Sequence, residues 1–135
     1  SITGLYTVLV EGDDLSEPIS DAVRAILDGH IVLTRELAAH NHYPAIDILN
    51  SVSRLMIDVV TKEHQEFSMK FKDFLATYKS AEDLINIGAY TKGSNPKIDM
   101  AIQKYDQMIP YLRQGMFENY DWRASLDELK RIMEA

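Results

Sequence analysis

From Thr61 to the end of the chain, apolar residues recur at helical spacing and no strand-type run interrupts them. Phe67, Phe71, Phe74, Leu75 and Tyr78 lie three or four residues apart, so on a helix they form one wide stripe. Ile98, Ala101, Ile102, Tyr105, Ile109 and Leu112 form a second, and Leu126, Leu129, Ile132 and Met133 a third. A helix with such a stripe must bury it against another element, and three together predict a helical bundle with the stripes as its core. The punctuation between them fits. Thr61 is suited to cap the first helix. Asn95-Pro96 pairs a cap with a proline in the first turn, where the missing N–H costs nothing, and Pro110 should kink or end that helix. Ser80 with Asp83 and Ser125 with Glu128 have capping-box spacing, which predicts a short helix to Ile87 stopped at Gly88 and a separate last helix.

The first sixty residues are built differently. Thr3 to Val10 is nearly unbroken apolar and rich in β-formers, the pattern of a strand covered on both faces. Glu11 to Asp14 forms an acidic turn. A helix then starts at Ser16-Glu17-Pro18, keeps Ile19, Val23, Ile26 and Leu27 on one face, and ends on Gly29 in the C′ position, leaving His30 as a helix-end residue. Ile31 to Leu33 reads as a second strand and Arg35 to Ala39 as a helical turn. His40-Asn41-His42 reads as a polar loop with solvated histidines. Strand, helix, strand is the grammar of a parallel sheet with crossover helices. The expectation is therefore a mainly α chain with a small parallel β part, divided into residues 1–57 and an all-helical domain over 58–135.

Composition narrows the function. A net charge of −7 argues against a nucleic-acid surface, which needs a basic face. The absence of cysteine excludes a disulfide framework and fits a reducing compartment. No apolar run approaches the roughly 20 residues of a spanning helix, so a soluble cytoplasmic protein is expected. The phosphate-binding G-x-x-x-x-G-K-[ST] loop, G-x-G-x-x-G, G-x-S-x-G and H-E-x-x-H are all missing. The acids Glu11, Asp13, Asp14 and Glu17 do not meet EF-hand spacing, so no metal site is expected.

The stretch Tyr43 to Met56 has an X-Pro break, a short apolar run, an Asn50-Ser51 pair suited to a turn, and Arg54 between apolar neighbours. A planar guanidinium with five donors matches a phosphate or a carboxylate. The competing reading is a structural arginine that pairs with Asp47 or Asp58 and caps a helix end.

Three stretches carry a family resemblance: Ser1 to Leu33, His-Tyr-Pro-Ala-Ile-Asp-Ile-Leu-Asn-Ser-Val-Ser-Arg-Leu-Met over 42–56, and Asp-Leu-Ile-Asn-Ile-Gly-Ala-Tyr-Thr-Lys-Gly-Ser-Asn-Pro-Lys-Ile-Asp over 83–99. Together they resemble the flagellum-specific export ATPases, the flagellar branch of the superfamily of rotary ATP synthase catalytic subunits and type III secretion ATPases. The resemblance implies the C-terminal part of a RecA-like core followed by a helical domain, with the phosphate loop upstream of residue 1. It implies ATP and Mg2+ as cofactors of the full-length protein, none bound by this fragment, and a fragment without activity of its own.

Residue by residue, it implies that Arg54 is a finger supplied to the next subunit's γ-phosphate and that Tyr43 packs on the adenine ring. Tyr90 would be a second base contact, with Tyr78 as a rival and core packing as the plain alternative for both. Asp13, Asp14 and Leu15 would face a central stalk protein, with a solvated acidic turn as the competing reading. The implied partners are a homo-hexamer, flagellar stalk and regulatory proteins, substrate–chaperone complexes and the membrane export gate, with no nucleic acid. The implied place is the cytoplasmic face of the membrane. A virulence-type secretion ATPase, a rotary synthase subunit, or a non-catalytic helical interaction module are the alternatives.

Overall fold

The fold is built around one long helix. Thr61 caps it, its hydroxyl accepting from the His64 N–H at 3.3 Å, and α4 then runs unbroken over Lys62–Asn86 in this computed structural model, which describes residues 2–134. Gly88 follows at φ 71°, the left-handed conformation a helix end favours and glycine adopts without strain. Asn95 caps α5 (Pro96–Leu112), its side chain accepting from the Lys97 N–H at 3.0 Å. The third long helix, α6 (Trp122–Glu134), begins with Asp121, whose carboxylate accepts from the Ala124 N–H at 2.8 Å.

Two predicted caps are overturned. Ser80 lies inside α4 and its hydroxyl donates back to the Ala76 carbonyl at 2.8 Å, so the expected second helix is the end of the first. Ser125 likewise lies inside α6, donating to the Asp121 carbonyl at 3.0 Å. In both cases continued helix satisfies the backbone, leaving the hydroxyl no N-terminus to cap. Pro110 sits in the last turn of α5, which ends two residues later.

The three stripes meet as expected. Phe67, Phe71 and Leu75 of α4, Met108 of α5, and Leu129, Ile132 and Met133 of α6 form one buried cluster. Burying each such side chain contributes about 1.5–3 kcal/mol. Tyr78 stacks on Tyr105 with centroids 3.5 Å apart and planes 6° apart, while Phe71 meets Tyr111 at 5.6 Å. The ion pairs Lys97–Asp73 and Lys130–Glu63 lie on the outside, where such pairs add little.

The N-terminal part departs further from expectation. Residues 2–10 form no strand; Ile2, Leu5 and Leu9 are over nine-tenths exposed and no described segment pairs with their backbone. A strand exists only with a hydrogen-bonded neighbour, and the two described strands pair with each other instead. A short 3-10 turn at Glu11–Asp13 leads to α1 (Pro18–Ile26), which ends before Gly29.

Gly29 is thus not a helix C′ residue, nor His30 a helix-end residue: both belong to β1 (Gly29–Leu33), followed by α2 (Arg35–Ala39) with Thr34 as its cap. β2 (Ile46–Ser53) lies antiparallel to β1, not parallel, in the register Gly29↔Ser53, His30↔Val52, Val32↔Asp47 and Leu33↔Ile46. The connection over residues 34–45, with α2 inside it, is long enough for either sense of pairing, and here it turns the chain back so that β2 runs against β1.

The residues that β2 carries in excess form an internal turn. Asp47 Oδ1 accepts from the Leu49 and Asn50 N–H groups, and the Ser51 hydroxyl donates to the Asp47 carbonyl and accepts from the Val32 N–H. The Asn-Ser pair therefore makes its turn inside the strand. Ile48 and Leu49 of β2 pack against the helical cluster, so the strand pair is docked on the bundle. A single turn, α3 (Met56–Val59), links β2 to α4.

Candidate functional site

Arg54 follows the last residue of β2 and is held by both backbone and side chain. Its N–H donates to the Asp28 carbonyl at 2.8 Å; Nη1 donates to the Ala25 carbonyl at 2.8 Å and Nη2 to the Arg24 carbonyl at 3.0 Å. The side chain is exposed, and its fork closes the C-terminal end of α1, where helix carbonyls lack partners and the dipole favours a cation. Neither Asp47 nor Asp58 pairs with it: the Asp47 carboxylate serves the turn in β2. Gly29 makes this approach possible, because a Cβ there would lie 2.6 Å from the Val52 carbonyl oxygen.

Tyr43 is 54% exposed, and its carbonyl accepts from the Gln114 N–H at 2.8 Å. The Tyr43–Pro44 peptide is cis. Together with Gln114, Gly115, Met116 and Glu118, these two residues line an open depression of about 370 Å3. A neighbouring cleft of about 410 Å3 lies between β2 and the segment after α5 and shares Gln114 and Glu118.

The structure does not bring Tyr90 to this place. Its hydroxyl donates toward the Asp99 carboxylate and the Asn95 carbonyl, each at 3.0 Å, and Asp99 also accepts from the Gly93 N–H at 2.9 Å. Tyr90 thus pins the α4–α5 loop to the start of α5, whereas Tyr43 is bonded just beyond its end. Seventeen helical residues separate the two ends by about 25 Å. Tyr78, the rival, is committed to its stack on Tyr105. The partner across from Tyr43 is the 114–118 turn, which no aromatic or charge motif marked; the only signal was the exposed Met116-Phe117 pair after a Gln-Gly.

In the acidic loop, Asp14 is exposed and accepts from the Ser16 N–H at 2.9 Å, while the Leu15 carbonyl accepts from Arg24 Nη1 at 3.2 Å. The Asp13 side chain lies outside the described part of the chain. The loop and Arg54 therefore both meet α1: Arg24, in its last turn, reaches back to the loop, and Arg54 closes its end.

Of the two loop histidines expected to be solvated, only His40 is exposed. His42 is 4% exposed, its N–H donating to the Leu37 carbonyl at 2.9 Å. Burial, reinforced by the Arg113 and Lys79 cations and opposed by a hydrogen bond to the Leu112 backbone, lowers its pKa below the ordinary value of 6.5. Only His42 of the tripeptide turns inward, next to Tyr43, whose carbonyl is tied to the Gln114 N–H just beyond α5. Among the described residues, no three His, Asp or Glu side chains converge in a way that could hold a metal ion, and no helix is long and apolar enough to cross a membrane.

These elements, an antiparallel strand pair docked on a three-helix bundle with an arginine at the strand end, define a class found in known proteins. The model of the type III secretion EscN ATPase C-terminal domain matches residues 60–131, and that of the ATP synthase alpha/beta nucleotide-binding domain matches residues 1–53. The chain belongs to this family of export ATPases. It is 55% identical over 118 residues to the flagellum-specific ATP synthase of Bacillus subtilis, covering 87% of this chain and 27% of that protein.

It superposes on assembled EscN of the enteropathogenic E. coli type III secretion system with a TM-score of 0.94 and 47% identity, covering 98% of this chain and 32% of that one. A second EscN structure, in complex with its central stalk EscO, gives a TM-score of 0.81 and 46% identity over 86% of this chain and 29% of that one. The chain thus spans about three-tenths of the length of these relatives.

Proposed function

We propose that the protein to which this chain belongs hydrolyses ATP with Mg2+ as a homo-hexamer and energises flagellar protein export, with Arg54 as its trans arginine. The observation that carries this is the placing of Arg54: an exposed guanidinium, fixed by its own N–H at a strand end, in a chain so close to assembled EscN. A fork on two carbonyls can be exchanged for one on a phosphate, whose full charge is the stronger acceptor. Such a finger acts on charge that develops in transfer, and is worth about 10³–10⁵ in rate.

Residues 1–57 would be the last portion of a RecA-like core and 58–135 the helical domain. The gap between the two matching family models, at residues 54–59, supports that division. The open depression beside Tyr43 suits the edge of a base, so adenine packing is assigned to Tyr43, with the 114–118 turn in place of Tyr90. Mg2+ and the phosphates would be held by the preceding part of the protein, which leaves this chain by itself without turnover.

The Asp13–Leu15 loop is assigned to the stalk, a reading supported by the stalk that EscN binds. Substrate–chaperone complexes and the membrane export gate complete the expected partners, at the cytoplasmic face of the membrane. A virulence-type export role is the second reading, favoured by the likeness to EscN.

The test is Arg54→Ala and Arg54→Lys in the full-length protein. Turnover should fall by about 10³ or more while nucleotide affinity changes little. Unchanged turnover would leave Arg54 as a helix cap and nothing else.

A further inference from the structure

The wall of the depression opposite Tyr43 is a turn that holds its own shape. Gln114 Nε2 donates to the Glu118 carbonyl at 2.9 Å, the Glu118 N–H donates to the Gly115 carbonyl at 3.1 Å, and the Gly115 N–H donates to Glu118 Oε2 at 2.7 Å. A charged acceptor on a backbone N–H is among the stronger hydrogen bonds available at a surface. The carboxylate lies close over Gly115, where a Cβ would come within 3.3 Å of the Glu118 side chain. The Gln114 N–H then fastens the closed turn to the Tyr43 carbonyl at 2.8 Å. Met116 is 90% exposed on the rim of this turn.

An exposed five-residue turn with no core contact would sample many conformations, each residue costing about 1–2 kcal/mol to order. Three bonds centred on Glu118 remove much of that freedom before any ligand arrives. We propose that Glu118 is a positioning residue: its carboxylate pre-forms the 114–118 turn so that Met116 faces Tyr43 across the depression, and the pair grips the base of a purine nucleotide. This rests on the base-packing reading of Tyr43 given above and adds to it what sets the second wall. A polarizable thioether opposite an aromatic ring suits the flat face of a base without reading its edge, so Glu118 governs how tightly the base is held and has no effect on the phosphates.

The test uses the full-length protein with two probes, a non-hydrolysable magnesium–ATP analogue and magnesium tripolyphosphate, which has no base. Glu118→Ala should weaken the ATP analogue about tenfold, within the range of one base stack, and raise the KM for ATP in parallel. Tripolyphosphate affinity should stay at the parent value. Glu118→Gln should recover most of the loss, since its amide oxygen can still accept from the Gly115 N–H. Tyr43→Ala serves as the reference. If it weakens the analogue and Glu118→Ala does not, the bracing role is overturned while base packing stands. If neither variant changes affinity, base packing falls too. An equal loss for tripolyphosphate and the analogue would make Glu118 a general structural residue and overturn the proposal.

Discussion

Arg54 Nη1 donates to the Ala25 carbonyl at 2.8 Å across twenty-nine residues of sequence, so the proposed finger doubles as the cap of α1. Removing it deprives two helix-end carbonyls of a charged partner at an exposed site, a loss of about 1 kcal/mol. Amide exchange at the last turn of α1, where the Leu27 N–H is bonded to the Val23 carbonyl, should speed up about fivefold in Arg54→Ala. Arg54→Lys should give an intermediate rate, because one ammonium on a flexible stem replaces a two-pronged fork poorly. No change in exchange in either variant would mean that the capping bonds contribute nothing in solution.

Gly29 offers a complementary test. An added Cβ would stand 2.6 Å from the Val52 carbonyl oxygen and 3.3 Å from Ser53 Cα, both backbone atoms that move only if β2 moves. Gly29→Ala should therefore cost about 1–3 kcal/mol, the usual cost of overpacking. It should also displace the end of β2 and with it Arg54. Expected together are a lower denaturation midpoint, faster exchange across β1 and β2, and reduced turnover of the parent protein. Lost turnover with full stability would mean that Gly29 acts by some route other than this crossing.

How legible all this was in the sequence depended on the range of the interaction. The helical stripes, the Thr61 and Asn95 caps and the Gly88 stop were readable because each is decided within a few residues. The antiparallel pairing of β1 with β2 was not, since strand-type runs do not state which neighbour they take. Residues 2–10 show the same limit: their apolar pattern is that of a buried strand, yet no described segment supplies a partner. Ser80 and Ser125 have cap spacing, but whether a serine caps or bonds back to the fourth residue before it depends on whether a helix already precedes it. At the site, Arg54 stood out by its apolar neighbours, while the roles proposed for Arg54 and Tyr43 rest on the resemblance. The 114–118 turn was missed because a surface turn closed by one carboxylate has no periodic signature.

Lys104 links α5 to α6 from inside the bundle. It is 7% exposed, and Nζ donates to the Ile132 carbonyl in the last turn of α6 at 2.6 Å. The side chain supplies both an apolar stem and a donor for a carbonyl that α6 cannot satisfy itself. Lys104→Ala removes both and should destabilise the chain by about 2–4 kcal/mol, measured as a shift in the urea midpoint. Lys104→Met keeps the stem and loses only the bond, so about 1 kcal/mol is expected. Equal losses in the two variants would show that the ammonium, and not the packing, carries the effect.

His42 makes stability depend on pH. The imidazole is buried, faces Arg113 and Lys79, and has a hydrogen bond to the Leu112 backbone as the only opposing influence; its folded pKa is lowered from 6.5. Below that unfolded value the unfolded chain binds a proton that the folded chain resists, so acid favours unfolding. The contribution is fully present above about pH 6.5 and is lost as the pH falls from there through the lowered folded pKa. His42→Gln, which cannot take up the proton, should flatten this part of the profile. In thermal melts between pH 8 and pH 5, the parent chain should lose more stability on acidification than the variant, with the difference opening below about pH 6.5. Parallel profiles would mean that the protonated ring is accommodated without moving the 40–45 segment off the end of α5. A gap that opens above neutrality would mean that the folded pKa of His42 is raised and not lowered.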